Sequence, residues 1–139
     1  MGTFRVFGTT ADEGIEVEAE HLEEIFSTAV EGFVAVLLGR PETVIPREAR
    51  EVEVEGEDEG ELLVALLNEL IYLFDAHRWV PRRTKKVLLS PNRLRVRLEG
   101  EPFDPSRHPP PVEVKAATYH GVDVSQKGKG WHARLIFDL

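Results

Sequence analysis

The sequence contains no cysteine, so disulfide bonds and thiolate metal sites are both excluded. Its most apolar stretch, 62–74, is interrupted by Asn68 and Glu69 and is shorter than the ~20 apolar residues that a membrane span requires. The opening segment MGTFRVFG lacks the basic and apolar regions of a secretory signal. These absences predict a cytoplasmic protein with no membrane partner.

Signatures of several enzyme classes are missing as well. There is no G-x-S-x-G motif for a serine nucleophile, and the GKG at 128–130 lacks the spacing of a phosphate-binding loop. The five histidines do not fall at zinc-ligand spacing. Only His120 and His132 are candidates for a general base, and the sequence around neither of them favours that role.

Charge is distributed unevenly along the chain. Residues 1–77 carry 4 basic and 19 acidic side chains, whereas residues 78–139 carry 13 basic and 6 acidic ones. Alternation within 93–98 puts three arginines on one face of a strand, which indicates either a phosphate-binding surface or a salt-bridged sheet face. In the second interpretation, Arg93, Arg95 and Arg97 face Glu51, Glu53 and Glu55. No aromatic residues interleave with the arginines, so base stacking on a single strand is not favoured.

Two segments have helical periodicity. In 20–39 apolar residues recur at steps of three and four, with acids in the first turns and Gly39 positioned to end the helix. In 58–81 Asp58 and Glu61 form a capping-box pattern, and Pro81 prevents continuation. Apolar residues cover most of this second helix, which predicts that it is the buried centre of the fold.

The remaining segments alternate with the period of a strand. They are FRVFG, GIEVEA, AREVEVEG, KKVLLS, LRVRLEG, VEVKAATYH, GVDVS and WHARLIF, with Pro91 and Asn92 marking a hairpin turn. Strands and helices do not alternate regularly. The sequence therefore predicts a single α+β domain over 1–139, with mainly antiparallel sheets packed with two helices.

Acidic residues lie at two strand ends. Asp12 sits in the turn-like segment GTTADEG, and Asp138 precedes the final residue, Leu139, which would carry a carboxylate. If the first and last strands pair or neighbour one another, these groups converge. Clustered carboxylates favour a hard divalent cation such as Ca²⁺, Mg²⁺ or Mn²⁺.

Several motifs together resemble the archease family over nearly the whole chain. They are TADEGIEVEAEHLEEIFSTAVEGF, VEVEGEDEGELLVALLNELIYLFD, GEPFDPSRH, EVKAATYH and WHARLIFDL, in that order. The resemblance implies a soluble α+β accessory protein that is not itself an enzyme. It implies an activator of an RtcB-type tRNA-splicing ligase that promotes guanylylation and multiple turnover and broadens nucleotide use, with GTP and tRNA reached through the ligase.

The resemblance also implies site residues. It assigns a metal, commonly calcium, to Asp12 and Asp138, with Leu139 contributing a carboxyl or backbone oxygen. Thr9 stands where the family usually has histidine, so any contribution of that histidine is lost or replaced. Lys115 in EVKAATYH is predicted to contact the partner ligase.

Two other functions stay open from the residues alone. The same acids would serve a small metal-dependent hydrolase, which would turn over GTP without a partner. The arginine face would serve a tRNA-binding module, whose affinity would fall steeply with salt.

Overall fold

Two antiparallel sheets and two helices make up the computed structural model, which describes residues 2–8 and 12–139. The helices are α1 and α2, and a short 3₁₀ turn at Pro41–Thr43 follows α1. The elements are β1 (Thr3–Gly8), β2 (Asp12–Ala19), α1 (Leu22–Leu38), β3 (Glu48–Glu55), α2 (Glu59–His77), β4 (Trp79–Ser90), β5 (Arg93–Pro102), β6 (Ala116–Lys127) and β7 (Gly130–Asp138). The predicted α+β class is confirmed.

The two sheets differ in size and in the order of their strands. The four-stranded sheet has the order β1-β2-β7-β6, so the final strand is inserted between strands from the two ends of the sequence. The three-stranded sheet has the order β3-β5-β4 and includes the predicted β4–β5 hairpin. Every strand pair is antiparallel.

The helices form a layer between the sheets. Helix α1 packs against β1, β2 and β4, and α2 packs against β6 and β3. Both helices are apolar around most of their circumference because each is covered on two sides. The prediction that α2 is the buried centre was therefore incomplete, since α1 shares that position. Within residues 2–8 and 12–139, neither helix is long and apolar enough to cross a membrane.

The residues predicted to cap the helices do so, and one of the capping hydrogen bonds is shifted by a residue. Gly39 adopts a left-handed conformation (φ 75°), and its N–H donates to the Ala35 carbonyl at 2.8 Å. The Asp58 carboxylate accepts from the Glu61 N–H at 2.9 Å. The Glu61 carboxylate accepts from the N–H of Glu57 at 3.0 Å, one residue earlier than a capping box requires.

Helix α2 stops before the predicted proline. It ends at His77, and Arg78 takes a left-handed conformation with φ 49°. Strand β4 follows at once, and Pro81 lies inside it, at a register shift in its pairing with β5. Pro81 thus marks an irregular position in a strand rather than the helix end.

Strand β6 differs most from the sequence prediction. The two predicted strands around His120 are one strand, and the segment 112–115 lies outside it. Its pairing with β7 shifts between Thr118 and Asp123, and Gly121 has φ 72° at that irregularity. A glycine in the left-handed region there permits a β-bulge, which bends the strand without ending it.

Asn68 explains the polar interruption of the apolar run in α2. Its amide accepts from the Ala117 N–H at 2.8 Å and donates to the Ala117 carbonyl at 3.2 Å. Ala117 lies on β6, at the edge of the four-stranded sheet, where main-chain groups have no further strand to pair with. The asparagine therefore takes the place of a neighbouring strand.

Replacing Asn68 with alanine is expected to lower the free energy of unfolding by about 1–3 kcal/mol, because two partly buried main-chain groups lose their partner. Urea denaturation measures the loss, and amide hydrogen exchange at Ala117 should accelerate selectively. Glu69→Ala is the control, because the Glu69 side chain makes no hydrogen bond described for this structure. Equal losses in the two variants would contradict this role for Asn68.

Candidate functional site

The two predicted acidic ligands lie opposite one another. Asp12 and Asp138 are direct Cα partners in the antiparallel pairing of β2 with β7. The convergence predicted from the sequence requires the first and last strands to pair or neighbour one another, but β2 separates β1 from β7. The acids meet because Asp12 begins the second strand rather than ending the first.

The end of β7 is held by its neighbours. The main-chain carbonyl of Asp138 accepts from the Lys115 N–H at 2.8 Å, so that oxygen is already engaged. The side chain of Leu139 is half-buried and packs against the hydrophobic core. This packing explains why an apolar residue follows the exposed Asp138: it fixes the position of the preceding acid.

The donor chemistry of this end fits a hard cation. Like charges directly opposite across two strands destabilise a sheet, and a divalent cation between carboxylates removes that repulsion. Across residues 2–8 and 12–139, no three His, Asp or Glu side chains cluster at metal-binding distance. A site here would consequently consist of the Asp12 and Asp138 carboxylates with an oxygen of Leu139. The prediction concerning Thr9 lies outside the described residues.

Lys115 lies beside this end. Its side chain is exposed, it precedes β6, and its main-chain N–H forms the bond to Asp138. The same residue lines a cavity bounded by the ends of both helices. The structure thus brings Lys115 together with Asp138 and Leu139, and its contact with a partner stays a prediction.

The arginine face of β5 forms ion pairs within its own sheet. The register places each arginine opposite an acid of β3, as the salt-bridged interpretation predicts. Arg93 reaches Glu55 at 3.0 Å, and Arg95 reaches Glu53 at 3.7 Å. Arg97 lies 3.7 Å from Glu51. These charges are largely compensated, so the face offers less to a phosphate backbone than its sequence suggests.

The histidines named as candidate bases do not form a catalytic arrangement with one another. His132 lies 3.5 Å from Glu16 and 3.9 Å from Asp123, on the four-stranded sheet. His120 is exposed near the bulge of β6. Neither is described in hydrogen-bond contact with Asp12 or Asp138 within the residues that the structure describes.

A buried polar cluster was missed by the sequence reasoning. Glu101 is fully buried and accepts from the Arg107 guanidinium at 2.6 Å, the His108 imidazole at 2.8 Å and the Ile45 N–H at 2.8 Å. Arg47 adds an ion pair at 3.1 Å. The cluster joins the loop after α1 to the loop after β5. The only signal was the density of polar residues in GEPFDPSRH.

Hydrogen bonds to Glu101 favour its charged form, and those of His108 determine which ring nitrogen carries the proton. Burial alone would raise the pKa of Glu101, but the hydrogen bonds from Arg107, Ile45 and His108 outweigh it and lower that pKa to about 2. Nδ1 of His108 accepts from the Asp104 N–H at 2.8 Å, which assigns the ring proton to Nε2, facing Glu101. The cluster has its polar groups satisfied internally, which is typical of a structural clamp.

Comparisons with known proteins agree over nearly the whole chain. The Archease protein family (MTH1598/TM1083) model matches residues 4–139. Protein archease of Pyrococcus abyssi is 36% identical over 134 residues, covering 94% of each chain, and that of Thermococcus kodakarensis is 37% identical with the same coverage.

Two solved structures have a similar fold. The solution structure of Methanobacterium thermoautotrophicum protein 1598 has a TM-score of 0.81 at 30% identity and covers 98% of both chains. The crystal structure of an archease, possible chaperone, from Thermotoga maritima has a TM-score of 0.64 at 20% identity, with 97% of this chain and 96% of that one covered.

Proposed function

The chain belongs to the archease protein family, and we propose that it is a non-catalytic activator of an RtcB-type tRNA-splicing RNA ligase. In this role it promotes guanylylation of the ligase, sustains multiple turnover and broadens the choice of nucleotide. GTP and tRNA are bound by the ligase. The observation that carries the proposal is the opposition of Asp12 and Asp138 at one end of the four-stranded sheet.

The end of the four-stranded sheet that carries Asp12, Asp138 and Leu139, which we call the acidic end, meets the ligase active site. Asp12 and Asp138 would hold a divalent cation through carboxylate oxygens, with Leu139 adding an oxygen. Calcium is the expected ion, with Mg²⁺ or Mn²⁺ as alternatives. When bound, such a cation supplies positive charge that attracts and orients nucleotide phosphates.

The residues around this end have positioning roles. The Lys115 N–H holds the Asp138 carbonyl at 2.8 Å, and the exposed Lys115 side chain offers a cation to an acidic residue of the ligase or to a phosphate. Leu139 anchors the strand end through its packing on the core. The acids are therefore presented on a rigid strand pair rather than on a loop.

The alternative functions receive less support. A metal-dependent hydrolase needs a general base near the acids, and no histidine of the described residues is in contact with them. A tRNA-binding module needs uncompensated basic residues, whereas the arginines of β5 pair with acids of β3. An accessory role needs neither feature.

The experiment is guanylylation of the purified cognate ligase with labelled GTP, with and without this protein. We expect the protein to increase both the rate of guanylylation and the number of ligations per ligase molecule. GTP turnover by the protein alone serves as the control and should stay at background. Turnover without ligase would favour the hydrolase, and no stimulation of a cognate ligase would contradict the proposal.

A further inference from the structure

The side of the four-stranded sheet that faces away from the helices, which we call the open face, carries both acids of the acidic end. On β7, Leu135 and Phe137 are fully buried in the core. Successive residues of a strand point to opposite faces, so Arg134 and Asp138 lie on the open face. Their register partners on β2 share that face. A residue of the open face can therefore act on the same ligand as the proposed cation.

Arg134 is opposed by an acid on each side of its strand. Its Cα partners are Glu16 on β2 and Asp123 on β6. Opposite charges in such positions attract one another, and the arginines of β5 form ion pairs with the acids opposite them. Within residues 2–8 and 12–139, in contrast, no ion pair joins Arg134 to Glu16, Asp123 or another carboxylate. This arginine is therefore held by a different contact.

Both opposing acids are engaged elsewhere on the open face. The Glu16 carboxylate accepts from the Arg5 guanidinium at 2.6 Å and lies 3.5 Å from Nε2 of His132. The Asp123 carboxylate accepts from the Ser125 hydroxyl at 3.0 Å and lies 3.9 Å from Nδ1 of His132. These contacts compensate both carboxylates, so neither acid depends on the arginine that lies between them.

The Phe7 ring provides the contact that holds Arg134. The guanidinium lies 4.7 Å from the ring centroid, and both side chains are half-buried. Phe7 is the register partner of Gly14, where a Cβ atom would overlap with the ring, so the glycine lets the ring lie close over the sheet. A guanidinium held against an aromatic ring keeps its orientation while its N–H groups stay available to an oxyanion. The structure thus presents Arg134 as an oriented donor rather than as a member of a salt bridge.

This contact directs the guanidinium toward the acidic end. One residue pair, Gly14 with Ile136, separates the pair that contains Arg134 from the pair of aspartates. Residue pairs that share a face are about 7 Å apart along an antiparallel strand. The Phe7 ring lies over Gly14, so the guanidinium is directed toward that intervening position. A cation held by the aspartates and the guanidinium beside it are then close enough to bind different oxygens of one triphosphate.

We propose that Arg134 is a phosphate-binding residue that acts together with the cation of the acidic end on the triphosphate of the ligase's nucleotide. The inference rests on the proposed function and deepens it. Arginine donates two N–H groups to phosphate oxygens in a matching geometry, and a second positive group on the same face strengthens binding of a highly charged ligand. Contacts to phosphates alone do not read the base, which agrees with an activator that broadens the choice of nucleotide.

The first test is calorimetric titration of the calcium-loaded protein with GTP, for wild type, Arg134→Gln and Lys127→Gln. Lys127→Gln is the matched control, because Lys127 is a positive residue at the opposite end of the open face, where it pairs with Glu18 at 3.3 Å. We expect Arg134→Gln to weaken GTP binding by at least roughly tenfold and Lys127→Gln by less than about twofold. ATP should bind with an affinity similar to that of GTP, and much weaker binding of ATP would contradict recognition through phosphates.

Titration with calcium in the absence of nucleotide distinguishes a phosphate contact from a structural role. Arg134→Gln should bind calcium at least as tightly as wild type, because a nearby positive charge repels the cation. Thermal unfolding verifies that each variant is folded. Lower calcium affinity in Arg134→Gln would overturn the inference, and so would unchanged GTP binding in that variant, an equal loss of GTP binding in Lys127→Gln, or no GTP binding by wild type.

Guanylylation of the cognate ligase, measured with the same variants over a range of GTP concentrations, separates failure of the inference from failure of the proposed function. We expect Arg134→Gln to raise the KM for GTP by at least roughly fivefold with little change in kcat. If wild type stimulates the ligase but neither GTP binding nor KM depends on Arg134, the inference is wrong and the proposed function stands. If wild type does not stimulate the ligase, the proposed function fails and the inference fails with it.

Discussion

Replacing Glu101 with alanine should lower the free energy of unfolding by about 3 kcal/mol, because removal of one partner leaves other buried polar groups unsatisfied. The His108 imidazole and the Ile45 N–H both lose their acceptor. Arg47 and Arg107 lose an ion pair but reach solvent, which keeps the loss at the lower end of the range for a buried pair. Urea denaturation near neutral pH measures the change.

Glu99→Ala is the matched control for this prediction. Glu99 lies two residues earlier on β5 and pairs with Arg83 at 2.8 Å at the surface, where water screens the interaction. It should cause a much smaller loss. Similar losses of unfolding free energy in the two variants would contradict a stabilising role for the buried cluster around Glu101.

The pH dependence of stability follows from the same residue. The pKa of Glu101 is lowered from 4.5 to about 2 on folding, so its contribution is fully present above pH 4.5 and is lost as the pH falls toward 2. Glu101→Gln has no such titration. The difference in unfolding free energy between wild type and Glu101→Gln should therefore shrink across that interval, and a constant difference would contradict the assignment.

Removing either opposed aspartate should cause the second large effect. Asp12→Asn and Asp138→Asn are each expected to weaken calcium binding by at least roughly tenfold, since affinity at oxygen sites depends on the number of charged ligands. Calorimetric titration with calcium, and then with magnesium and manganese, measures it. Folding should be retained, because asparagine preserves the shape of each side chain.

Glu13→Gln provides the control for the cation prediction. Glu13 neighbours Asp12 on β2 and pairs in register with Phe137 rather than with Asp138. Successive strand residues point to opposite faces, so this acid does not share the face of Asp12. Unchanged calcium affinity in the two aspartate variants would contradict a site formed by Asp12 and Asp138. So would a loss of affinity in Glu13→Gln as large as the loss in the aspartate variants.

The parts of the fold that were predictable from sequence are those governed by local period. Three- and four-residue spacing located both helices, and alternation located the arginine face of β5 opposite the acids of β3. The antiparallel register then paired Arg93 with Glu55, as one interpretation required. Local patterning suffices there because each side chain's direction follows from its position in the strand.

The features that sequence reasoning missed depend on contacts between distant segments. Glu101 is clamped by residues from two loops, and Asn68 replaces a strand that the linear pattern does not indicate. The two strands predicted here meet at His120 and Gly121, whereas in the structure β6 bends at this point and continues. Sheet order could not be predicted from the sequence either. It determines that Asp12 pairs with Asp138 as part of the second strand rather than the first.

Single-turnover guanylylation of the cognate ligase tests whether the acidic end activates the ligase, when it is measured with no addition, with wild-type protein, with Asp138→Asn and with Glu13→Gln. We expect stimulation by wild type and Glu13→Gln, and a rate with Asp138→Asn close to that of the ligase alone. Full stimulation by Asp138→Asn would contradict the claim that the acidic end activates the ligase.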